Sequence, residues 1–142
     1  MCTVSFVYSQ DKIIITSNRD EKVIRPNAIP PKEHTINGKS IFFPKDPKAG
    51  GTWFAVDCYG TVLVLLNGAE EKHEVKLPYR KSRGLIVLDI ISSESPKDFW
   101  SQVDLENIEP FTLILYQNNQ LFQLRWNGYQ KESISLPLNK KH

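Results

Sequence analysis

The feature that most constrains the fold is a helical block set between two blocks of strand-like sequence. The block holds two segments, Leu77 to Ser93 and Ser95 to about Val103. Pro78 suits the first turn of a helix, and Ser95 followed by proline is typical of an N-cap and first helical residue. Leu85 to Ile91 is apolar nearly all round, which predicts a buried first helix. The order strands, two helices, strands predicts a layered α+β fold.

The segments on both sides of this block have the alternation or the β-branched content of strands. Asn118-Asn119 and Asn127-Gly128 suit tight turns, and another hairpin is predicted around Tyr59-Gly60. The segment Val23 to Lys32 carries three prolines, which predicts a loop or an edge strand. The predicted strands are Cys2 to Tyr8, Ile13 to Asn18, Ser40 to Phe43, Thr52 to Asp57, Thr61 to Leu66, Phe111 to Tyr116, Gln120 to Trp126 and Tyr129 to Ser135.

Composition excludes several classes of partner. With 142 residues and a net charge of +2, the chain fits one domain and has no charge excess for nucleic acid or an anionic membrane. Its longest apolar runs are too short to span a bilayer. Two cysteines and the lack of a signal-peptide pattern predict a reducing, cytoplasmic location. The sequence indicates no particular oligomeric state.

The first two strands predict a hairpin that brings the N-terminus beside an Asn-Arg-Asp-Glu cluster. If Gln10 and Asp11 form a two-residue loop, the apolar residues of both strands sort onto one face. Cys2 then lies opposite Arg19. A longer loop or a bulge would place Asn18 or Asp20 there instead.

This juxtaposition has chemical meaning. Removal of the initiator methionine would leave Cys2 with a thiol of pKa about 8.5 and an α-amine of pKa about 7.7–8.0, which can act as the base for that thiol. The neighbouring Arg19 would favour the thiolate, and Asp20 could orient the amine or the arginine. The alternative is that Cys2 is a small buried hydrophobic residue and that the cluster is a solvated strand end.

Several spaced strings carry a resemblance to a known family. "MCTV", "TSNRDE", "RP…PP", "GGTWFAV" and "LLNG" occur in this order and resemble the NRDE-motif family, also called the Transport and Golgi organisation 2 family. That family resembles the N-terminal nucleophile hydrolases, which cleave non-peptide amides such as bile-acid conjugates and penicillins. The resemblance implies an αββα layered sandwich. Because family members are usually longer, it implies that residues 1–142 form a single NRDE-type domain corresponding to the N-terminal part.

The resemblance also implies roles for individual residues. Cys2 matches the nucleophile, and Asp20 matches an aspartate beside it. Asn67 resembles an asparagine that helps to form the oxyanion hole, a contribution of about 10²–10³ in rate. Arg19 is assigned to the same catalytic group, although the arginine of the hydrolases lies at a slightly different offset.

Three further residues are assigned to substrate binding: Asn18, Trp53 and Arg83. Trp53 follows two glycines that would let the backbone approach a ligand, and its indole could wall a pocket; the alternative is a core tryptophan after a turn. Arg83, with Arg80 and Lys81, could hold a carboxylate or phosphate at a helix start; the alternative is a solvated helix start. The histidines show no metal-site spacing, so we expect no metal and no cofactor.

These observations leave three functional hypotheses. The first is a hydrolase of a non-peptide C–N bond in a small molecule, with Cys2 as the nucleophile. The second is a non-catalytic protein that binds or traffics haem or an acyl lipid on the same scaffold. The third is an inert piece of a longer protein. The expected partner is therefore a small-molecule amide or a lipid-like ligand, with no nucleic acid and no membrane span.

Overall fold

The computed structural model describes residues 2–20, 24–70, 74 and 77–142. These residues form nine strands and two helices. The strands are β1 (Thr3–Ser9), β2 (Lys12–Asn18), β3 (Ile29–Ile36), β4 (Lys39–Lys45), β5 (Phe54–Asp57), β6 (Val62–Asn67), β7 (Phe111–Gln117), β8 (Gln120–Trp126) and β9 (Lys131–Leu136), and the helices are α1 (Arg83–Ile91) and α2 (Pro96–Gln102).

The strands form two antiparallel sheets. β3 to β9 make a seven-stranded sheet in sequence order, and β1 pairs with β2 in a separate two-stranded sheet. Both helices lie in the connection between β6 and β7, which are neighbours in the sheet. The helical excursion therefore returns the chain beside the strand that it left.

The two faces of the large sheet have different covers. Leu63 and Leu65 of β6 point into the core that the sheet shares with α1 and α2. Val64 points to the other face because side chains alternate along a strand. On that face Phe6 of β1 lies against Tyr116 of β7, with ring centroids 6.5 Å apart. The described residues thus form a helix layer, a large sheet and a hairpin layer, which confirms the α+β class.

The first hairpin has the predicted register. Gln10 and Asp11 have φ of 50° and 59°, as a two-residue type I′ turn requires. Val4 pairs with Ser17 and Phe6 pairs with Ile15. The inner face of β2 is half-buried while its alternate residues are exposed, so the sequence pattern and the turn agree on one register.

The start of the first helix differs from the prediction. α1 begins at Arg83 with Ser82 as its N-cap, and not at Leu77. The preceding segment is held by other partners: the Arg80 N–H donates to the Asn107 carbonyl over 2.9 Å. A backbone group used in this way is not available to a helical turn. The second helix is confirmed from its Ser95 N-cap onward.

The proline-rich segment supplies an edge strand. β3 lies at one edge of the large sheet, and its pairing with β4 is irregular between Ile29 and Lys32, where Pro30 and Pro31 fall. Prolines are tolerated there because an edge strand needs to donate on one side only. The prediction of a loop or edge strand is confirmed for the described part, and Val23 lies outside it. None of the described helices is long and apolar enough to cross a membrane.

Candidate functional site

A cavity of about 560 Å³ opens where the hairpin, the large sheet and the start of α1 meet. This volume is in the usual range for small-molecule sites, about 300–1,000 Å³. The hairpin contributes Cys2, Ser17, Asn18 and Arg19; the sheet and its loops contribute Asp46, Trp53, Leu65 and Asn67; the segment entering α1 contributes Leu77, Tyr79, Lys81, Ser82 and Arg83.

Six of the seven residues predicted for the site line this cavity. They are Cys2, Asn18, Arg19, Trp53, Asn67 and Arg83. Asp20 is exposed and is not one of the lining residues. The structure therefore brings together residues from three separate segments, and their roles in chemistry or binding stay predictions.

The hairpin places Cys2 and Arg19 side by side. Its strand pairing ends at Thr3 and Asn18, so Cys2 and Arg19 are the next residues on the two strands. Both lie on the inner side, and Cys2 is a half-buried free thiol. Met1 lies outside the described residues, and with it the prediction that the α-amine of Cys2 becomes free.

Arg19 is held by two contacts. Its guanidinium carbon lies 3.7 Å from the centroid of the Trp53 ring, in cation–π geometry. Its Nη2 lies 3.9 Å from Oδ2 of Asp46. Trp53 thus packs partly on the core and partly against Arg19, and both predicted uses of the tryptophan, core residue and cavity wall, occur together.

Asp46 is the acidic centre of this wall. Its Oδ1 accepts the N–H groups of Lys48 and Ala49 over 2.9 and 3.0 Å. Its Oδ2 accepts Arg25 Nε over 3.1 Å and a second bond from Arg25 Nη2. Burial raises the pKa of Asp46, but the N–H groups of Ala49 and Lys48 and the guanidinium of Arg25 outweigh burial and leave the pKa below its usual value.

The glycines before Trp53 bring the loop against a helix. A Cβ on Gly51 would stand 2.3 Å from the carbonyl carbon of Gly84 in α1. The Thr52 N–H donates to the Gly84 carbonyl over 3.1 Å. The close backbone approach that these glycines permit is therefore made to α1, and it seats the loop that carries Trp53.

The three basic residues near the helix start separate. Lys81 and Arg83 line the cavity, where Lys81 pairs with Asp89 and Arg83 Nη2 lies 3.1 Å from Glu109 Oε2. Arg80 turns away, and its Nη2 lies 3.1 Å from Asp104 Oδ2. The proposed anion-binding role therefore applies to two of the three residues.

With this geometry established, comparison with known proteins is informative. Residues 1–140 match the family model described as Transport and Golgi organisation 2. The chain belongs to this family. Among curated proteins, none matches the chain. The family resemblance carried by the "MCTV", "TSNRDE" and "GGTWFAV" strings is confirmed.

In this member of the Transport and Golgi organisation 2 family, sequence reasoning missed two residues of the wall, Asp46 and Arg25. Asp46 precedes a proline and two glycines, a pattern that indicates a turn and nothing about distant arginines. Arg25 lies in the proline-rich segment, where no periodicity shows its orientation. No group of three potential metal ligands occurs among residues 2–20, 24–70, 74 and 77–142, and the lack of metal-site spacing stays a sequence-based expectation for the rest.

Proposed function

We propose that this chain is a cysteine hydrolase of the N-terminal nucleophile type that cleaves a non-peptide amide in a small molecule. The observation that carries the proposal is the position of Cys2 and Arg19 at adjacent hairpin ends on the wall of one cavity. In this proposal the helix layer, large sheet and hairpin layer correspond to three of the four layers of an αββα sandwich.

The proposed reaction uses residues of this wall. After removal of Met1, the α-amine of Cys2 takes the thiol proton, and the thiolate sulfur forms a bond to the amide carbon. Asn67, at the end of β6, donates a hydrogen bond to the oxyanion. The C–N bond then breaks, the α-amine protonates the leaving nitrogen, and water hydrolyses the thioester to release the acid.

Arg19 and Asp20 have supporting roles in the proposal. The positive charge of Arg19 beside Cys2 favours the thiolate over the thiol. Asp20, one residue further along, orients the arginine or the amine. Asn18, Trp53 and Arg83 form part of the binding wall. A reducing cytoplasm would keep the thiol active, and both cysteines are free in the structure.

A carrier of haem or an acyl lipid is the second candidate, and Leu77 favours it. Leu77 lines the cavity and is 78% exposed, which is unusual for a leucine that no ligand covers. The cavity is also lined by Leu65, Pro78 and Trp53, so it offers apolar surface to a lipid tail.

Alkylation of Cys2 by iodoacetamide from about pH 5 to pH 9, read by site-resolved mass spectrometry, tests the proposal. We expect Met1 to be absent and Cys2 to react at lower pH than in the denatured chain, because Arg19 stabilises the thiolate. Cys58, which is exposed, is the control within the same spectrum. A retained Met1, or a Cys2 that titrates as in the denatured chain, would contradict the hydrolase.

Turnover of N-acyl amides by the Cys2→Ala variant separates the two candidates. A hydrolase loses about 10³-fold or more of its turnover, because the bond-forming sulfur is gone, and keeps its affinity for the amide. A carrier keeps its ligand affinity and has no turnover to lose.

A further inference from the structure

Asp46 is fixed by its own loop, independently of the arginines. Its side chain is 9% exposed, and its Oδ1 is occupied by the two N–H groups that follow it in the loop. The backbone closes the same loop, since the Asp46 N–H donates to the Gly51 carbonyl and the Gly50 N–H donates to the Asp46 carbonyl, both over 2.8 Å. The carboxylate therefore has one defined orientation.

The same loop presents two contacts to Arg19. Oδ2 of Asp46 faces the guanidinium from one side, and the Trp53 ring lies against its plane at 3.7 Å. The loop is in turn seated on α1 through the close approach of Gly51 to Gly84. Arg19, at the end of β2, is thus held by a bracket that belongs to the large sheet and α1.

We propose that Asp46 is a positioning residue that acts on Cys2 through Arg19. This inference extends the proposed function, in which Cys2 is the nucleophile. Asp46 keeps the guanidinium at the cavity wall beside the end of β1, where its charge acts on the thiol. Without the carboxylate, the arginine keeps its stacking partner and loses the contact that sets its direction in the plane of the ring.

The substitution Asp46→Asn isolates the charge. Asparagine has the same shape and keeps an oxygen for the two loop N–H groups, so the loop retains its hydrogen bonds. The matched control is Asp57→Asn. Asp57 caps its turn through Oδ1, which accepts the Tyr59 and Thr61 N–H groups over 2.9 Å, and its Oδ2 lies 2.8 Å from Lys39 Nζ. It is not one of the cavity-lining residues.

Two readouts are measured on the purified full chain: the indole N–H resonance of Trp53, and the midpoint pH of Cys2 alkylation. We expect Asp46→Asn to move the Trp53 resonance and to raise the Cys2 midpoint by about half a unit to one unit. Asp57→Asn should change neither, even where both variants lower thermal stability. Unchanged readouts in Asp46→Asn, or equal changes in the control, would overturn the proposal.

A double variant tests whether Asp46 acts through Arg19. In an Arg19→Lys background, Asp46→Asn should add little to the Cys2 shift, because the group it positions is already gone. Additive shifts would overturn the inference. If Asp46→Asn does not fold, Asp46→Ser takes its place, since its hydroxyl still accepts the loop N–H groups.

Failure of this inference is distinguishable from failure of the proposed function. The Trp53 resonance reports the bracket and does not depend on Cys2 chemistry. A wild-type Cys2 that titrates as in the denatured chain overturns both the hydrolase and the action of Asp46 on Cys2. A depressed wild-type midpoint that Asp46→Asn leaves unchanged overturns only the positioning role.

Discussion

Arg19, Trp53 and Asp46 form the best-defined group of the site at the residue scale. The indole offers the guanidinium a polarisable face, and the carboxylate offers it a directed charge. Arg25 binds the same carboxylate oxygen, so Asp46 links two segments that flank the cavity. The electrostatics beside Cys2 therefore depend on an aspartate that is distant in sequence.

The lowered pKa of Asp46 predicts how its contribution to stability varies with pH. The folded carboxyl has a pKa below the usual value of 3.8, so the unfolded chain takes up the proton first as the pH falls. The stabilisation by the charge is complete above about pH 5 and is lost as the pH falls through the folded pKa.

Urea unfolding of wild type and Asp46→Asn across this range measures the effect. We expect the wild type to be more stable by about 1–3 kcal/mol at neutral pH, because a charged acceptor is lost in the variant. The difference should shrink below about pH 4. A difference that stays constant down to about pH 2 would contradict the assignment.

Lysines from the sheet cap both helices at the element scale. α1 and α2 have 9 and 7 residues and no side-chain hydrogen bond at either N-cap, so neither would be stable alone. Lys39 of β4 donates to the Ile91 and Ser93 carbonyls, both over 2.9 Å. Lys131 of β9 donates to three carbonyls at the end of α2. Each helix is thus tied to the sheet at its negative end.

Substitution of the two lysines by methionine should have unequal costs. Lys39 is 8% exposed and faces Asp57, whose side chain is 0% exposed, so Lys39→Met leaves a buried carboxylate without its counter-charge. We expect a loss of about 3–5 kcal/mol. For Lys131→Met we expect about 1–2 kcal/mol, because only carbonyl contacts are lost. Denaturant unfolding measures both.

A double variant provides the control for this prediction. Lys39→Met combined with Asp57→Asn should be less destabilised than the sum of the single variants, since no uncompensated charge is left. Equal costs for the two lysine substitutions would show that the buried pair contributes nothing beyond capping.

The whole molecule consists of a continuous large sheet with its helices and a hairpin that packs on the other face. Phe6 is the main anchor of the hairpin, at 1% exposure. Its backbone forms two hydrogen bonds with His142, at 2.8 and 3.2 Å, and its ring lies 6.3 Å from the His142 ring. Two-stranded sheets are marginal by themselves, so the hairpin depends on this packing.

Phe6→Ala should therefore release the hairpin before the rest of the fold. We expect the β1 and β2 amides to lose hydrogen-exchange protection, while β6 and β7 keep most of theirs. A global loss of about 3–5 kcal/mol is the upper range for such a core truncation. Cys2 should then alkylate as in the denatured chain, because Arg19 and Cys2 move away from the cavity together.

The control for the hairpin is Ile14→Ala on its outer face. Ile14 is 52% exposed, so its truncation should change exchange only slightly. If Phe6→Ala lowers protection equally in both sheets, the hairpin is part of one cooperative unit with the large sheet.

The sequence by itself determined the parts of this protein that depend on neighbouring residues. The register of the first hairpin follows from the alternation around Gln10 and Asp11, and the start of α2 follows from Ser95 and Pro96. These features are local, since a turn or a cap is specified by a few adjacent residues. The motif strings were likewise sufficient for the family and for six lining residues.

Only the tertiary structure decided the features that depend on distant partners. α1 starts at Arg83 because the loop around Asn107 occupies the preceding backbone, which overrides the local helical pattern. Asp46 meets Arg19 and Arg25 through packing between segments that share no sequence periodicity. Hydrogen bonds and charge pairs between distant residues form wherever folding brings them together, so their partners are not encoded in local sequence patterns.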